Sequence, residues 1–293
     1  MYPWLQNTYQ GLAQRAIAGR LHHGILLHGP QGLGKTELAE KLAALLLCQR
    51  PAATEPCGAC QACLLRVAGN HPDWHQIRRE KTQISVDQIR DGIQKLSKTA
   101  QLSGNKVLII HEAECFNQAS ANALLKTLEE PTRGTYILLI THAANRLLPT
   151  ILSRCEKQPV TPPPLAEGLA WLASQQVNCD EQTLALCANA PLRAKAWCED
   201  EKRLRYDDFA GALTQLQRFE QSPLALASQW QDQAELVCGF SQYWLNHAMY
   251  SGQTDSLWSA YQLCLHTQKQ LQQAGVNKTL LLTRLLSEPA FSQ

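Results

Sequence analysis

The chain has 293 residues, of which 45% are hydrophobic and 18% are charged, enough to bury a large core in more than one domain. A formal net charge of +2 does not by itself indicate a nucleic-acid-binding protein, so any DNA contact would need a local basic patch. The first ten residues lack the pattern of a signal peptide, and no stretch approaches the roughly 20 apolar residues that span a bilayer. We therefore expect no membrane partner.

The predicted elements fall into three regions that differ in their secondary-structure pattern. Up to about residue 160, apolar runs of strand length alternate with segments of helical periodicity. The predicted strands are 24–28, 74–78, 106–110, 136–140 and a weaker 157–160. The predicted helices among them include 35–47, 86–99 and 118–130. This alternation is typical of βαβ units and predicts an α/β domain with a parallel sheet.

Three consecutive prolines at 162–164 cannot continue a strand or a helix interior, so they mark a candidate domain boundary. Beyond them the sequence shows no convincing strand. Short helices are predicted to about residue 205, with breaks near Asn178 and Pro191. Longer helical segments then include 242–250, 256–274 and 278–286. We predict domains at 1–160, 161–205 and 206–293.

A glycine-rich segment after the first predicted strand fits the pattern G-x-x-x-x-G-K-[ST] completely. Its residues are Gly29, Pro30, Gln31, Gly32, Leu33, Gly34, Lys35 and Thr36. Glycines let backbone N–H groups face phosphate oxygens, and the N-terminus of the following helix adds partial positive charge. Lys35 is expected to reach the outer phosphates, and Thr36 to hold Mg²⁺ through its hydroxyl. The alternative is a chance glycine-rich turn.

The end of the strand at 106–110 departs from the pattern of an active P-loop ATPase. Such enzymes usually hold Mg²⁺ through an aspartate there, whereas this chain has His111. A neutral imidazole is a poor ligand for a hard, oxygen-seeking cation. Glu112 could still orient a water molecule. The alternative is that Glu112 or Glu114 replaces the aspartate as the ligand of Mg²⁺. We expect the loop to accept ATP with Mg²⁺, while hydrolysis is doubtful.

Four of the eleven cysteines cluster as C-x8-C-x2-C-x2-C, at Cys48, Cys57, Cys60 and Cys63. Four thiolates with no further ligand match a closed, tetrahedral, structural Zn²⁺ site. The alternative is four unlinked thiols. An odd number of cysteines without a secretory signal argues against a disulfide framework, so we expect a reducing, cytoplasmic location.

Several motifs together resemble the bacterial DNA polymerase III clamp-loader subunits, a branch of the AAA+ family. Residues 121–131 (ANALLKTLEEP) reproduce the long helix motif of these subunits, and residues 152–155 (LSRC) match their Ser-Arg-Cys motif. A cysteine excursion inside an AAA+ domain is a further mark. Residues 70–73 and 86–90 resemble the delta-prime type rather than the gamma/tau motor type. The resemblance is strong over about 20–160 and weak beyond.

The resemblance implies roles for three further residues. Arg154, in the Ser-Arg-Cys motif, would be an arginine finger that projects into the ATP site of a neighbouring subunit. Thr141 lies where the family has its first nucleotide sensor, and Arg193 lies near the second. The alternative for Arg154 is an ordinary surface arginine, and the alternative for Arg193 is a simple arginine at the start of a helix. The helical regions 161–205 and 206–293 would be a lid and an oligomerisation collar.

The resemblance also implies a function and partners. The chain would be part of a DNA polymerase holoenzyme and would join gamma/tau and delta subunits in a ring. The ring would use ATP to open the sliding clamp and place it on primed DNA. Two rival hypotheses are an active gamma/tau-type ATPase motor, which needs a Mg²⁺ ligand that His111 does not offer, and a zinc-containing DNA-binding module with a vestigial nucleotide site. The latter predicts salt-sensitive DNA binding by the isolated chain.

Overall fold

A computed structural model describes residues 1–102, 104–200, 202–250, 255–271, 273 and 275–292. The chain divides into two compact units. The first comprises residues 1–168 together with 188–193, and the second comprises residues 169–187 and 194–293. The chain passes between them within two helices, Leu165–Ser174 (α7) and Pro191–Glu199 (α9), and at residues 187–188.

The first unit is built on one five-stranded sheet in which every pairing is parallel. The strands are Gly24–His28 (β1), Trp74–Ile77 (β2), Lys106–Ile110 (β3), Thr135–Thr141 (β4) and Glu156–Pro159 (β5). Their spatial order is β2-β3-β4-β1-β5, so β1 lies between β4 and β5. The register pairs His28 with Thr141. The carboxyl ends of β1, β3 and β4 therefore meet at one edge of the sheet.

Helices cover both faces of this sheet, as the continuous burial of β3 requires. The helices that precede β5 are Gln6–Ile17 (α1), Lys35–Leu46 (α2), Gln61–Val67 (α3), Val86–Ser97 (α4), Gln118–Glu129 (α5) and Pro149–Leu152 (α6). One face of the sheet packs with α1 and α2 in a core that includes Leu27 and Leu42, and the other packs with α4 and α5 in a core that includes Leu108. Asn117 begins α5 with a capping box to Ser120, which orients the helix.

All the regular secondary structure described in the second unit is helical. Besides parts of α7 and α9 it contains Glu181–Leu186 (α8), Tyr206–Gln217 (α10), Pro223–Trp230 (α11), Ala234–Met249 (α12), Asp255–Leu271 (α13), Lys278–Leu286 (α14) and Pro289–Ser292 (α15). Phe209 and Phe240 are fully buried, and their rings lie 5.4 Å apart. Aromatic packing of this kind supplies much of the burial that a small helical unit needs.

The predicted fold class, a parallel α/β domain followed by helices, is confirmed. The predicted strands agree with the structure to within one residue at each end, and the predicted helices 35–47, 86–99 and 118–130 end one or two residues earlier. The predicted segment 256–274 extends onto residues 272 and 274, which lie outside the described residues. The three-domain division stays a prediction. In the part of the chain described, no helix is long and apolar enough to cross a membrane.

Candidate nucleotide site and cysteine cluster

The glycine-rich loop connects β1 to α2, and its backbone conformation requires its glycines. Gly32 and Gly34 have φ values of 85° and 82°, which side chains disfavour. A Cβ on Gly29 would lie 2.1 Å from the carbonyl oxygen of Val160, and one on Gly32 would lie 2.6 Å from Arg193 Cβ. The loop is therefore wedged against the backbone that follows β5 and against the start of α9.

Arg193 contacts the loop through its backbone and Cβ, and the neighbouring Leu192 donates its N–H to Gly32 O at 3.2 Å. Leu192 lines the cavity over the loop, whereas the Arg193 guanidinium is not part of that lining. Leu33 is fully buried, so its side chain serves the core of the unit rather than a ligand.

The Lys35 ammonium group is turned onto the loop itself. It donates hydrogen bonds to the carbonyl oxygens of Gly29 at 2.7 Å and Pro30 at 2.6 Å. Burial lowers the pKa of Lys35 to about 8, although the negative charge of Glu114 acts in the opposite direction. A buried cation that only neutral carbonyls satisfy is a ready partner for an anionic phosphate.

Two aromatic side chains near the N-terminus, neither of them a predicted site residue, cover the loop. Tyr2 and Trp4 stack with ring centroids 5.1 Å apart, and Trp4 Nε1 donates to Leu33 O at 2.9 Å. The Tyr2 ring lies so close to Gly34 that a Cβ there would approach it to 2.5 Å. The sequence signal that could have predicted this contact is the pair of aromatic residues in the short segment before the first helix.

His111 follows β3 and is only 3% exposed. Its Nε2 lies 3.0 Å from Oε1 of Gln76, an amide partner on β2. Burial, together with the positive charge of Arg78, lowers the pKa of His111 to about 4. The ring is therefore neutral at physiological pH and is already hydrogen-bonded, so it is poorly suited to Mg²⁺.

The two glutamates after His111 have different surroundings. Glu112 adopts the left-handed conformation, with φ at 50°, and its carboxylate forms an ion pair with Arg79 Nε at 3.0 Å. Glu114 turns inward, and its side chain is 1% exposed. Its Oε2 accepts a hydrogen bond from the Thr141 hydroxyl at 2.5 Å, and its Oε1 lies 2.5 Å from Nδ1 of His142. The predicted sensor residue Thr141 is thus bonded to a buried carboxylate.

These groups border one open cavity of ≈ 400 Å³ at the carboxyl edge of the sheet. The phosphate loop and the start of α2 form one wall, and the residues after β3 and β4 form the other. The lining residues from the predicted set are Gln31, Gly32, Gly34, Lys35, Thr36, Glu112 and Thr141. Topology therefore brings together most of the residues that the sequence predicted for nucleotide binding. Glu114 and His142 belong to the same cavity and were not predicted as a pair.

Arg154 lies apart from this cavity, between α6 and β5. Its Nε donates to Oε1 of Glu129 at 2.7 Å, its Nη2 also contacts that carboxylate, and its Nη1 donates to Thr150 O at 3.0 Å. The side chain is 33% exposed. The next residue, Cys155, is buried, and burial raises its pKa to about 12. The structure thus anchors the backbone beside Arg154 and leaves the guanidinium at the surface.

The four clustered cysteines converge, with all their sulfur atoms within 4.8 Å of one another. Cys48 Sγ and Cys60 Sγ are 3.9 Å apart. Tetrahedral zinc with bonds of about 2.3 Å places its sulfur ligands about 3.8 Å apart, so the separation fits such an ion. The N–H groups of Cys57, Cys60 and Cys63 donate to sulfurs of the cluster, as suits thiolates.

Electrostatics in the cluster favour a thiolate at Cys60. Burial acts to raise the pKa of the Cys60 thiol, but N–H groups of Cys63 and Gln49 outweigh it and lower that pKa to about 6. The excursion is tethered to the rest of the unit, because Tyr9 Oη donates to Thr54 O at 2.6 Å. These residues form a four-cysteine cluster that could hold a metal ion, as predicted from their spacing.

Comparison of the sequence with known proteins finds DNA polymerase III subunits. A family model described as DNA polymerase III, delta subunit, matches residues 4–163. A DNA polymerase III subunit delta' from Pseudomonas aeruginosa is 38% identical, and the alignment covers 98% of this chain and 96% of that protein. The subunit delta' of Escherichia coli K12 is also 38% identical, over 67% of this chain and 60% of that protein.

A solved structure supports the fold independently. The crystal structure of a DNA polymerase III, gamma subunit-related protein from Thermotoga maritima superimposes with a TM-score of 0.51. It covers 95% of this chain and 97% of its own, at 20% sequence identity. The family model and the Pseudomonas relative, which is 38% identical over 98% of this chain, show that the chain belongs to the DNA polymerase III delta-prime subunit family.

Proposed function

We propose that this chain is a structural subunit of a clamp loader, which helps to place a sliding clamp on primed DNA. In this role it binds nucleotide without efficient hydrolysis and donates Arg154 to the ATP site of a neighbouring subunit. Its partners are the gamma/tau and delta subunits, the clamp and, through the assembly, primer-template DNA. Family membership supports the role in replication.

The observation that carries this proposal, nucleotide binding here and hydrolysis in a neighbouring subunit, is the buried, neutral state of His111. The phosphate loop is intact and borders an open cavity, yet the strand end that supplies a Mg²⁺ ligand in ATPases holds a buried, neutral imidazole bonded to Gln76. A guanidinium delivered from a neighbour stabilises the charge of phosphoryl transfer. Arg154, at the surface of its own chain and outside its own cavity, is suited to act on a different subunit.

Zn²⁺ is the metal that we propose for the cysteine cluster. Four sulfur ligands leave no open coordination position, so the ion would stabilise the excursion at 48–63 and take no part in chemistry. ATP with Mg²⁺ is the ligand proposed for the cavity over Lys35. Thr36 lines that cavity and is the residue proposed to contact the cation.

The decisive experiment is reconstitution with the partner subunits and the clamp. Arg154→Ala is expected to abolish most ATP turnover at the site that it serves, by about 10³-fold, and to impair clamp loading. Arg133→Ala, a change at another exposed arginine of the same unit, is the matched control. If Arg154→Ala left ATP turnover and clamp loading by the complex unchanged, the proposal that Arg154 is an arginine finger would be wrong.

One observation favours the rival motor function, because the cavity contains carboxylates at Glu112 and Glu114. A motor subunit would hydrolyse ATP by itself, and Lys35→Ala would abolish that turnover. A hydrolysis assay on the isolated chain separates the two functions. Binding without turnover supports the structural role, and measurable turnover that requires Lys35 supports the motor.

A further inference from the structure

The Glu114 side chain is a buried carboxylate in the wall of the phosphate cavity. Its side chain is 1% exposed, and Glu114 is among the residues that line the cavity. Oε2 is taken by the Thr141 hydroxyl, whereas Oε1, although 2.5 Å from Nδ1 of His142, has no directed hydrogen bond among the described residues. Burying an acceptor atom without a hydrogen bond costs free energy unless a cation or a hydrogen-bond donor interacts with it.

Of the basic side chains that line the cavity with Glu114, Lys35 and Arg78 form their hydrogen bonds with other groups. The negative charge of Glu114 acts to raise the pKa of Lys35. The Lys35 ammonium group nevertheless donates its hydrogen bonds to the carbonyl oxygens of Gly29 and Pro30. His111 is held neutral by burial, and Arg79 is paired with Glu112. The His142 ring is 44% exposed and is the nearest partner of Oε1. The cavity therefore contains carboxylates, at Glu112 and Glu114, as well as the basic side chains of Lys35 and Arg78.

A carboxylate in a poorly solvated cavity acts in opposite directions on the two forms of a nucleotide. It repels the phosphate oxygens of a free polyphosphate and attracts a divalent cation, and both effects exceed those in water because the local dielectric is lower. Mg²⁺ prefers oxygen ligands and is commonly held by one or two carboxylates together with substrate phosphates. His111 has no such oxygen, whereas Glu114 has one, Oε1, that no directed hydrogen bond among the described residues occupies.

We propose that Glu114 makes this cavity selective for the magnesium complex of a nucleotide over the free nucleotide. Glu114 is therefore a specificity-determining residue that substitutes for the carboxylate missing at the end of β3. This inference rests on the proposed nucleotide binding and adds to it the residue that makes binding depend on Mg²⁺. It makes no demand on hydrolysis, because a cation can be held without an attacking water being activated.

The test measures the affinity of the isolated full-length chain for a fluorescent ATP analogue, with excess Mg²⁺ and with EDTA at matched ionic strength. Wild type is expected to bind at least about tenfold more tightly with Mg²⁺. Glu114→Gln keeps the size of the side chain and an acceptor for Thr141 but removes the charge. It is expected to bind the free nucleotide more tightly than wild type does and to reduce the Mg²⁺ dependence to less than about threefold.

Glu130→Gln makes the same charge change at an exposed position and is expected to keep the wild-type ratio. Glu114→Ala provides a second variant, and thermal unfolding of both variants shows that the cavity is still folded. If wild type binds the analogue but Glu114→Gln and Glu114→Ala retain its Mg²⁺ dependence, the role of Glu114 is overturned and nucleotide binding stands. If wild type binds no analogue even with Mg²⁺, the proposed nucleotide site itself fails.

Discussion

Arg154 is held against Glu129 of α5 by a hydrogen bond from its Nε to Oε1 at 2.7 Å and by a second contact from Nη2. The two residues belong to the two motifs that carry the family resemblance, residues 121–131 and 152–155. The ion pair therefore joins the helix motif to the proposed finger within one chain. Because both side chains are partly exposed, their interaction is worth only about 0.2–1 kcal/mol.

A first prediction concerns this pair. Glu129→Gln is expected to lower ATP turnover by the reconstituted complex less than about fivefold, because the finger loses an orienting partner worth at most about 1 kcal/mol. The measurement is steady-state ATP hydrolysis in the presence of clamp and primed DNA. Added to Arg154→Ala, the change is expected to have no further effect. An additive loss in the double variant would mean that Glu129 acts independently of Arg154.

The cysteine cluster gives a second prediction. Purified protein is expected to contain about one Zn²⁺ per chain, and Cys63→Ser is expected to lose it and to lower the free energy of unfolding by at least about 2 kcal/mol, because metal binding is coupled to folding. Metal analysis and denaturant unfolding check the two results. Cys179→Ser, at a cysteine of the second unit, serves as the control and should retain the metal. If purified wild-type protein contained no zinc and Cys63→Ser left its free energy of unfolding unchanged, the proposed zinc site would be wrong.

A third prediction concerns backbone strain in the phosphate loop. Gly29→Ala is expected to destabilise the first unit by about 1–3 kcal/mol, since φ is 148° and the new Cβ would lie 2.1 Å from Val160 O. Gly11→Ala is the matched control, because Gly11 lies within α1 and a Cβ there would meet no atom within 4 Å. That change is expected to stabilise the unit by about 0.5–1 kcal/mol. Denaturant unfolding measures both, and equal effects would contradict the loop geometry.

The fourth prediction is a pH dependence that arises from His111. Burial lowers its folded pKa from 6.5 to about 4, so the unfolded chain takes up a proton first as the pH falls. This contribution to stability is present above pH 6.5 and is lost as the pH falls towards 4, up to about 3 kcal/mol. His111→Gln is expected to remove that part of the slope. Denaturant unfolding between pH 4.5 and 7.5 compares the two proteins, and parallel profiles would contradict a buried neutral His111.

The sequence by itself determined the features that depend on local order along the chain. Strand and helix periodicity gave the α/β unit and its helical continuation, because side-chain burial follows the repeat of each element. The glycine-rich loop was recognisable because Gly32 and Gly34 must adopt positive φ at fixed positions. The four cysteines were recognisable because ligands separated by two residues converge on one ion.

The tertiary structure alone decided which side chains share the cavity and what state they are in. Glu114 lies 27 residues from Thr141 in the chain, and only the parallel pairing of β3 with β4 brings the carboxylate to the hydroxyl. The same holds for Tyr2 over Gly34 and for Arg193 against Gly32, which depend on packing between distant segments. The sequence showed a histidine where a carboxylate was expected. Its burial against Gln76 made that histidine neutral, because burial determines the cost of charge.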